Sequence, residues 1–305
     1  MNGFLNLLKL PGMSSAAAVG FVKRLTGEKT GHAGTLDPEA CGVLPIMIGK
    51  ATRVLPYFED KSKEYIAEIC FSCATDTQDA QGKMTEPGRG MPDEDALRAA
   101  LSAFTGVILQ RPPAYSAVKR DGKPLYALAR QGLLVETEPR ETEIFSIDLL
   151  DILPPDAARL RVSCGGGTYI RTLCHDIGRS LGHPAHMRLL IRTRSGCFSL
   201  ENSFTPEEVQ AAAQEGNLSS LLCPMEYPVR HLREVTVSGK LLHKVLNGVR
   251  PPAARIPAEE GERFRICGCG EWIALGERHG DTVDLPLILT DQRDFLTRHT
   301  LTAHA

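Results

Sequence analysis

The chain predicts an α+β fold. Some segments alternate apolar and polar residues, others repeat apolar residues at helical spacing, and the two kinds follow no regular βαβ rhythm. An apolar content of 42% and a charged content of 24% are ordinary for a globular chain, and 305 residues leave room for one large domain and a small one.

Ser14-Ser15 can cap an amphipathic helix that runs to about Leu25, ahead of the Gly27 turn. Gly42 to Ile48 reads as a short buried strand. Glu64 to Cys73 reads as an alternating one, with Tyr65, Ala67, Ile69 and Phe71 on a single face. Leu97, Ala100, Leu101 and Phe104 recur at helical spacing, with Gly106 as a stop. Pro112 to Ala129 starts as a loop and ends as a short helix halted by Gly132. Ile144 to Ile152 and Leu160 to Cys164 look like strands. After three glycines, Thr168 to Leu181 is a helix with Ile170, Leu173, Ile177 and Leu181 on its apolar face and Gly182 at its end. Thr205-Pro206-Glu207-Glu208 is a helix start. Pro224 to Pro228 suggests a linker, and beyond about Glu234 lies a Gly-rich tail of strands with one short helix near Leu241 to Asn247.

No apolar run approaches the roughly 20 residues that span a bilayer. The N-terminal MNGFLNLLKLPGMSS has no basic region ahead of its apolar stretch, so no signal peptide and a cytoplasmic location are expected. Nine cysteines scattered over the chain do not form a disulfide framework, and Cys70-Phe-Ser-Cys73 and Cys267-Gly-Cys269 lack a second ligand pair at zinc spacing. Buried reduced thiols and no metal are expected. The net charge of −2 carries no global nucleic-acid signature, but from Arg159 to Leu200 seven arginines face one acid, Asp176. Lys119, Arg120, Lys123 and Arg130 form a second basic cluster. A basic stripe on a near-neutral protein suits docking of a specific RNA, against the bland reading of a solvated helix face.

The run GHAGTLDPEACGVLPIMIG places one carboxylate, Asp37, on a Gly-rich turn behind His32. Two readings follow. Asp37 can be a nucleophile presented on a turn, or, followed by Pro38, the cap of a helix that begins there.

The run GHAGTLDPEACGVLPIMIGKATR, with KEY at Lys63 to Tyr65 and GGGTYIRTLCHDIG at Gly165 to Gly178, resembles the TruB family of bacterial tRNA pseudouridine synthases, in the family's order and out to about Arg230. The resemblance implies a mixed, mostly antiparallel sheet flanked by helices. It divides the chain into a catalytic domain at 1–230, with an RNA-gripping insertion at about 111–140, and a small PUA-like β-rich domain at 231–305. It implies isomerisation of the T-loop uridine at conventional tRNA position 55, with no cofactor, no obligate protein partner and a monomeric enzyme gripping the tRNA T-arm. Asp37 matches the catalytic aspartate, Arg171 its partner, Tyr65 the aromatic that stacks on the base, and Tyr169 and Leu190 substrate contacts. His32 matches the ring inserted near the flipped nucleotide. Lys119, Arg120, Lys123, Arg188, Arg192 and Arg194 are expected at the RNA backbone. Two residues depart from the pattern: Leu10 stands where the family has Pro, and Ile191 where it often has Arg. Two further functions compete with this one, a non-catalytic RNA-binding or RNA-folding protein and a guide-RNA-dependent relative. An Asp37–Arg171 pair argues against a pure binder, which has no use for a buried ion pair that is costly to desolvate.

Overall fold

A computed structural model describes residues 1–302 apart from 117–118, 121–122, 126–132, 134–136 and 291. The chain divides into two compact units. The larger holds residues 5–46 and 60–221; the smaller holds 1–4, 47–59 and 222–305.

The larger unit is built on a mixed sheet. Its strands are β1 (Gly3–Lys9), β2 (Thr30–His32), β3 (Cys41–Ile48), β4 (Lys63–Cys70), β7 (Gly106–Gln110), β10 (Arg140–Leu153), β11 (Ala157–Cys164), β12 (His186–Ser195) and β13 (Phe198–Ser199). Short ladders form separately between β5 (Cys73–Thr75) and β6 (Met84–Pro87), and between β8 (Lys119–Arg120) and β9 (Lys123–Pro124). The sheet runs β1-β3-β12-β4-β11-β10-β7. β3 and β12 are parallel, whereas the pairs from β12 to β7 are antiparallel.

Helices α1 (Ser15–Thr26), α2 (Glu94–Ala103), α3 (Ile170–Leu181) and α4 (Pro206–Gln214) complete this unit. Ser14 caps α1 by accepting from Ala17 N, and Gly27 ends it at φ 68°. Thr205 and Glu208 form a reciprocal capping box at α4. Leu97 and Leu101 of α2 and Ile170, Leu173 and Ile177 of α3 bury against Tyr65, Ala67 and Ile69 of β4 and Leu160 and Val162 of β11. Each such side chain contributes about 1.5–3 kcal/mol by leaving water.

The smaller unit carries its own sheet, β15 (Glu234–Thr236), β16 (Arg263–Gly268), β17 (Glu271–His279) and β18 (Thr282–Ile288), in that order. The short β14 (Leu222–Cys223) and the helices α5 (Gly239–Leu246) and α6 (Gln292–Thr302) also belong to it. Its core gathers Val245, Leu246, Phe264, Ile266, Ile273, Val283 and Phe295. No helix among the described residues is long and apolar enough to cross a membrane.

Three segments depart from expectation. β4 stops at Cys70 and a new strand starts at Cys73, so the CxxC spans a break in the strand. Gly106 opens β7 rather than merely ending α2. No helix follows Asp37: the chain makes one turn, Ala40 N to Asp37 O, and enters β3. Asp37 is therefore not a helix cap. The helix expected near Ala129 lies outside the described residues.

Candidate active site

The Gly-rich run becomes a loop between β2 and β3, lying over the sheet face that carries Tyr65. Gly42 shows why the sequence needs glycine there. It sits at φ 109°, and a Cβ on it would stand 2.2 Å from the Arg192 carbonyl oxygen on the parallel neighbour β12. Gly34 adopts φ 109° as well.

Three side chains hold the backbone of this loop. The Ser15 hydroxyl accepts from Leu36 N and donates to Leu36 O, both at 2.8 Å. Arg192 donates from Nη2 to Gly34 O at 3.1 Å, from Nη1 to Thr35 O at 3.4 Å and from Nε to Val43 O at 2.7 Å. Its charge also acts on the neighbouring Tyr65 hydroxyl. Lys9 donates to the carbonyls of Leu10, Met13 and Pro38 at 3.0, 2.6 and 2.8 Å. Both cations are fully buried, and burial lowers the Lys9 pKa to about 8. Carbonyl dipoles replace the water these cations gave up, so each is a pin rather than a free charge.

Asp37 hangs from this fixed backbone and meets Arg171 at two points. Arg171 Nε lies 2.8 Å from Asp37 Oδ2, and Nη2 donates to Oδ1 at 3.2 Å. Arg171, in the first turn of α3, is itself held by the carbonyls of Thr77 (3.1 Å) and Tyr115 (3.0 Å) and lies 3.9 Å from Asp79. Its side chain is 5% exposed while that of Asp37 is 35% exposed. A fully committed guanidinium thus orients a carboxylate that still faces outward, the arrangement a nucleophile requires.

The other expected residues fall around this pair. Tyr65 is buried on β4, with Leu190 of β12 beside it in the same cluster. Tyr169 immediately precedes α3, and its backbone is clasped by the Gln110 amide, which accepts from Tyr169 N at 3.0 Å and donates to its carbonyl at 3.2 Å. His32 ends β2 half-buried; its Nδ1 is buried without a hydrogen-bond partner among the described residues. Burial and the Arg192 charge lower its pKa, keeping it neutral.

The arginine stripe needs correction. Arg192, 1% exposed, cannot reach an RNA backbone; it is a loop pin. Arg188 is engaged with Glu68 at 3.0 Å, and Arg159 pairs with Glu68 and Asp151. Arg179 pairs with Glu86. The matching acids come from other parts of the sequence. Arg194 remains partly exposed, donating to Ser62 Oγ at 2.7 Å. For Lys119, Arg120 and Lys123 only the backbone pairing of β8 with β9 is described.

Sequence reasoning passed over Thr77, Gln78, Asp79, Gln110 and Tyr115. Gln78, at φ 63°, accepts from the Thr172 hydroxyl at 2.8 Å, so the turn after β5 is fitted to the start of α3. The signal available was the polar run TDTQDAQG lying between segments that must be buried. All nine cysteines are free thiols, and burial pushes Cys164 and Cys267 up to about 11 and Cys174 to about 12. Among the described residues no group of three or more His, Cys, Asp or Glu is placed to hold a metal.

Residues 23–170 match the model of the TruB family pseudouridylate synthase N-terminal domain, and residues 171–230 that of the tRNA pseudouridylate synthase B C-terminal domain. A relative from Symbiobacterium thermophilum, named tRNA pseudouridine synthase B, is 46% identical over 255 residues, covering 82% of this chain and 83% of the relative. One of the same name from Syntrophomonas wolfei is 41% identical over 281 residues, covering 87% and 93%. Among solved structures, a chain of a Cbf5–Nop10–Gar1 complex superposes with a TM-score of 0.72 at 30% identity, over 95% of this chain and 86% of that one. With these relatives beside an outward-facing Asp37 held by Arg171, the chain belongs to the TruB family of pseudouridine synthases.

Proposed function

We propose that this protein isomerises the T-loop uridine of tRNA, at conventional position 55, to pseudouridine, with Asp37 as the nucleophile acting on a flipped-out nucleotide. The reaction breaks the bond between ribose C1′ and uracil N1, forms one between C1′ and C5, and moves a proton from C5 to solvent while N1 gains one. Nothing is oxidised or reduced, so a single nucleophile and a pocket that retains the cut base suffice.

The observation that carries this reading is the two-point contact of Arg171 with Asp37, between a buried cation and an outward-facing carboxylate. Arg171 fixes the carboxylate's direction, so one oxygen can be aimed at an electrophilic carbon. Tyr65 offers a ring face beside Leu190, and stacking of about 1–3 kcal/mol per base offsets much of the few kcal/mol that flipping costs. His32, neutral and half-buried, suits the space that the base vacates. The tRNA substrate follows from relatives at 46% and 41% identity named for it. The basic residues of the 111–140 segment and Arg194 are assigned to RNA phosphates. Folding of the uridine out of a structured loop predicts that an isolated T-arm stem-loop is also a substrate. Incubation of the purified protein with unmodified tRNA transcript, followed by nucleotide-resolution mapping, tests the proposal. Pseudouridine at the T-loop position alone is expected, and none there would refute it.

A further inference from the structure

Lys63 is a cation that the fold keeps beside the candidate site without giving its ammonium a partner among the described residues. It stands on β4 two residues before Tyr65, so both side chains leave the same face of the sheet. Its terminal methylene lies 3.7 Å from where a Cβ on Gly34 would stand, against the loop that carries Asp37. The groups that face it are Asp60 from the segment ahead of β4, Cys164 from the neighbouring β11, and Arg192 and Arg194 from β12.

None of these satisfies it. Asp60 accepts from Ser62 N at 2.9 Å and from the Ser62 hydroxyl, and stands 4.0 Å from Arg194. The Cys164 thiol, pushed up to about 11, is neutral. Arg192 is spent on carbonyls and adds positive charge. Among the described residues the Lys63 ammonium makes no hydrogen bond and no ion pair, and two guanidinium groups against one carboxylate surround it. Lys9 differs, because the same fold gives that fully buried ammonium three carbonyl acceptors, whereas Lys63 is partly exposed. Burial and Arg192 lower the Lys63 pKa to about 8. A partly desolvated ammonium in a positive neighbourhood recovers its lost solvation when an anion arrives.

We propose that Lys63 receives a phosphate of the RNA chain next to the target nucleotide, seating the backbone against the Gly34 turn while the base enters toward Tyr65. This rests on the substrate reading above. In RNA only the phosphates are charged, and a compact ammonium suits a single phosphate oxygen better than a paired, planar group would. A phosphate raises the pKa of the lysine it binds, so binding takes up a proton above pH 8 and weakens as pH rises through that range.

Single-turnover kinetics with excess protein test the proposal. The substrates are unmodified tRNA and two versions carrying an uncharged methylphosphonate on the 5′ or the 3′ side of the target uridine. Lys63→Met should raise the half-saturating protein concentration on the order of tenfold at pH 7.5, with the plateau rate within about twofold. One of the two methylphosphonates should cost the wild type as much and cost Lys63→Met nothing further, the signature of a direct pair. Between pH 8 and 9.5 half-saturation should rise about fourfold more in the wild type than in Lys63→Arg, which remains charged. Lys9, also titrating near 8, is common to both proteins and cancels. Additive losses at both linkages, an unchanged half-saturation in Lys63→Met, or a loss confined to the plateau rate would each overturn the assignment. A wild type that modifies no uridine would instead sink the substrate reading, before Lys63 is in question.

Discussion

Arg171 does for Asp37 what a lysine cannot. Its Nε and Nη2 take one carboxylate oxygen each while Nη1 and Nη2 hold the carbonyls of Thr77 and Tyr115. Arg171→Lys keeps the charge but not the fork, so turnover should fall about 100-fold, the scale of losing a fixed attack geometry, with tRNA binding largely retained. Single-turnover rates and a binding titration check it; a rate within a few-fold of wild type would mean charge alone suffices. Tyr65 is buried on β4 opposite Arg192 of β12, with its ring in the cluster that includes Leu190. Tyr65→Phe should keep the ring face and most turnover, while Tyr65→Leu should lose the stacking surface and most turnover, read by single-turnover rates; equal activity of the two variants would remove the stacking role. The pairing of Asp37 with Arg171 was legible in the sequence because each sits inside a motif, as Tyr65 does. Arg192 was misassigned, since an arginine's side chain records nothing in the sequence about whether water reaches it. The loop-holding roles of Lys9 and Ser15 were not legible for the same reason: their partners are backbone groups, which every residue has.

At the scale of the element, α3 carries one group that works against it. Burial lifts the Asp176 carboxyl to about 6, so the folded state holds its proton more tightly than the unfolded chain does. A carboxyl raised in this way lowers stability as pH climbs through about 4 to 6, and the penalty persists above that. Asp176→Asn should then stabilise the protein by about 1 kcal/mol at pH 8, after allowance for screening, and by nothing below pH 4. Thermal melts at the two pH values decide it, and equal shifts at both would contradict the cause. Gly42→Ala is expected to act in the opposite direction. Its methyl would meet the β12 backbone at 2.2 Å from φ 109°, so a loss of more than about 3 kcal/mol and displacement of the Asp37 loop should follow. Capped helices were the most readable elements, as Ser14 and Thr205 show. β12 was not readable: bulges at Met187/Leu189 and Arg192/Arg194 break its period of two, and its buried side includes His186 and Arg192. β7 was missed because its exposed side chains, Val107 and Leu109, are apolar.

For the whole molecule, the sequence conveyed an α+β chain with a strand-rich tail, and the two contact-defined units interleave the chain in a way no linear reading anticipates. Residues 47–59 belong to the smaller unit although they begin with the last two residues of β3, whose other residues lie in the larger. Charge follows the same rule. A net charge of −2 hides basic residues whose partners lie far away in sequence, so RNA affinity should rest on a few phosphate contacts instead of a broad field. Reversing Lys119, Arg120 and Lys123 to Glu should weaken tRNA binding and flatten its salt dependence, by about one unit of slope per contact, while the single-step rate at saturation falls much less. An unchanged slope in a salt titration would remove these residues from the interface. Above all, the reading requires that chemistry depend on one carboxylate while binding does not. Single-turnover mapping of pseudouridine on unmodified tRNA, run for wild type and Asp37→Asn beside a binding titration of each, measures that separation. The expected result is conversion of the T-loop uridine by wild type, none by Asp37→Asn, and affinities within a few-fold of each other; conversion by Asp37→Asn at the wild-type rate would contradict it.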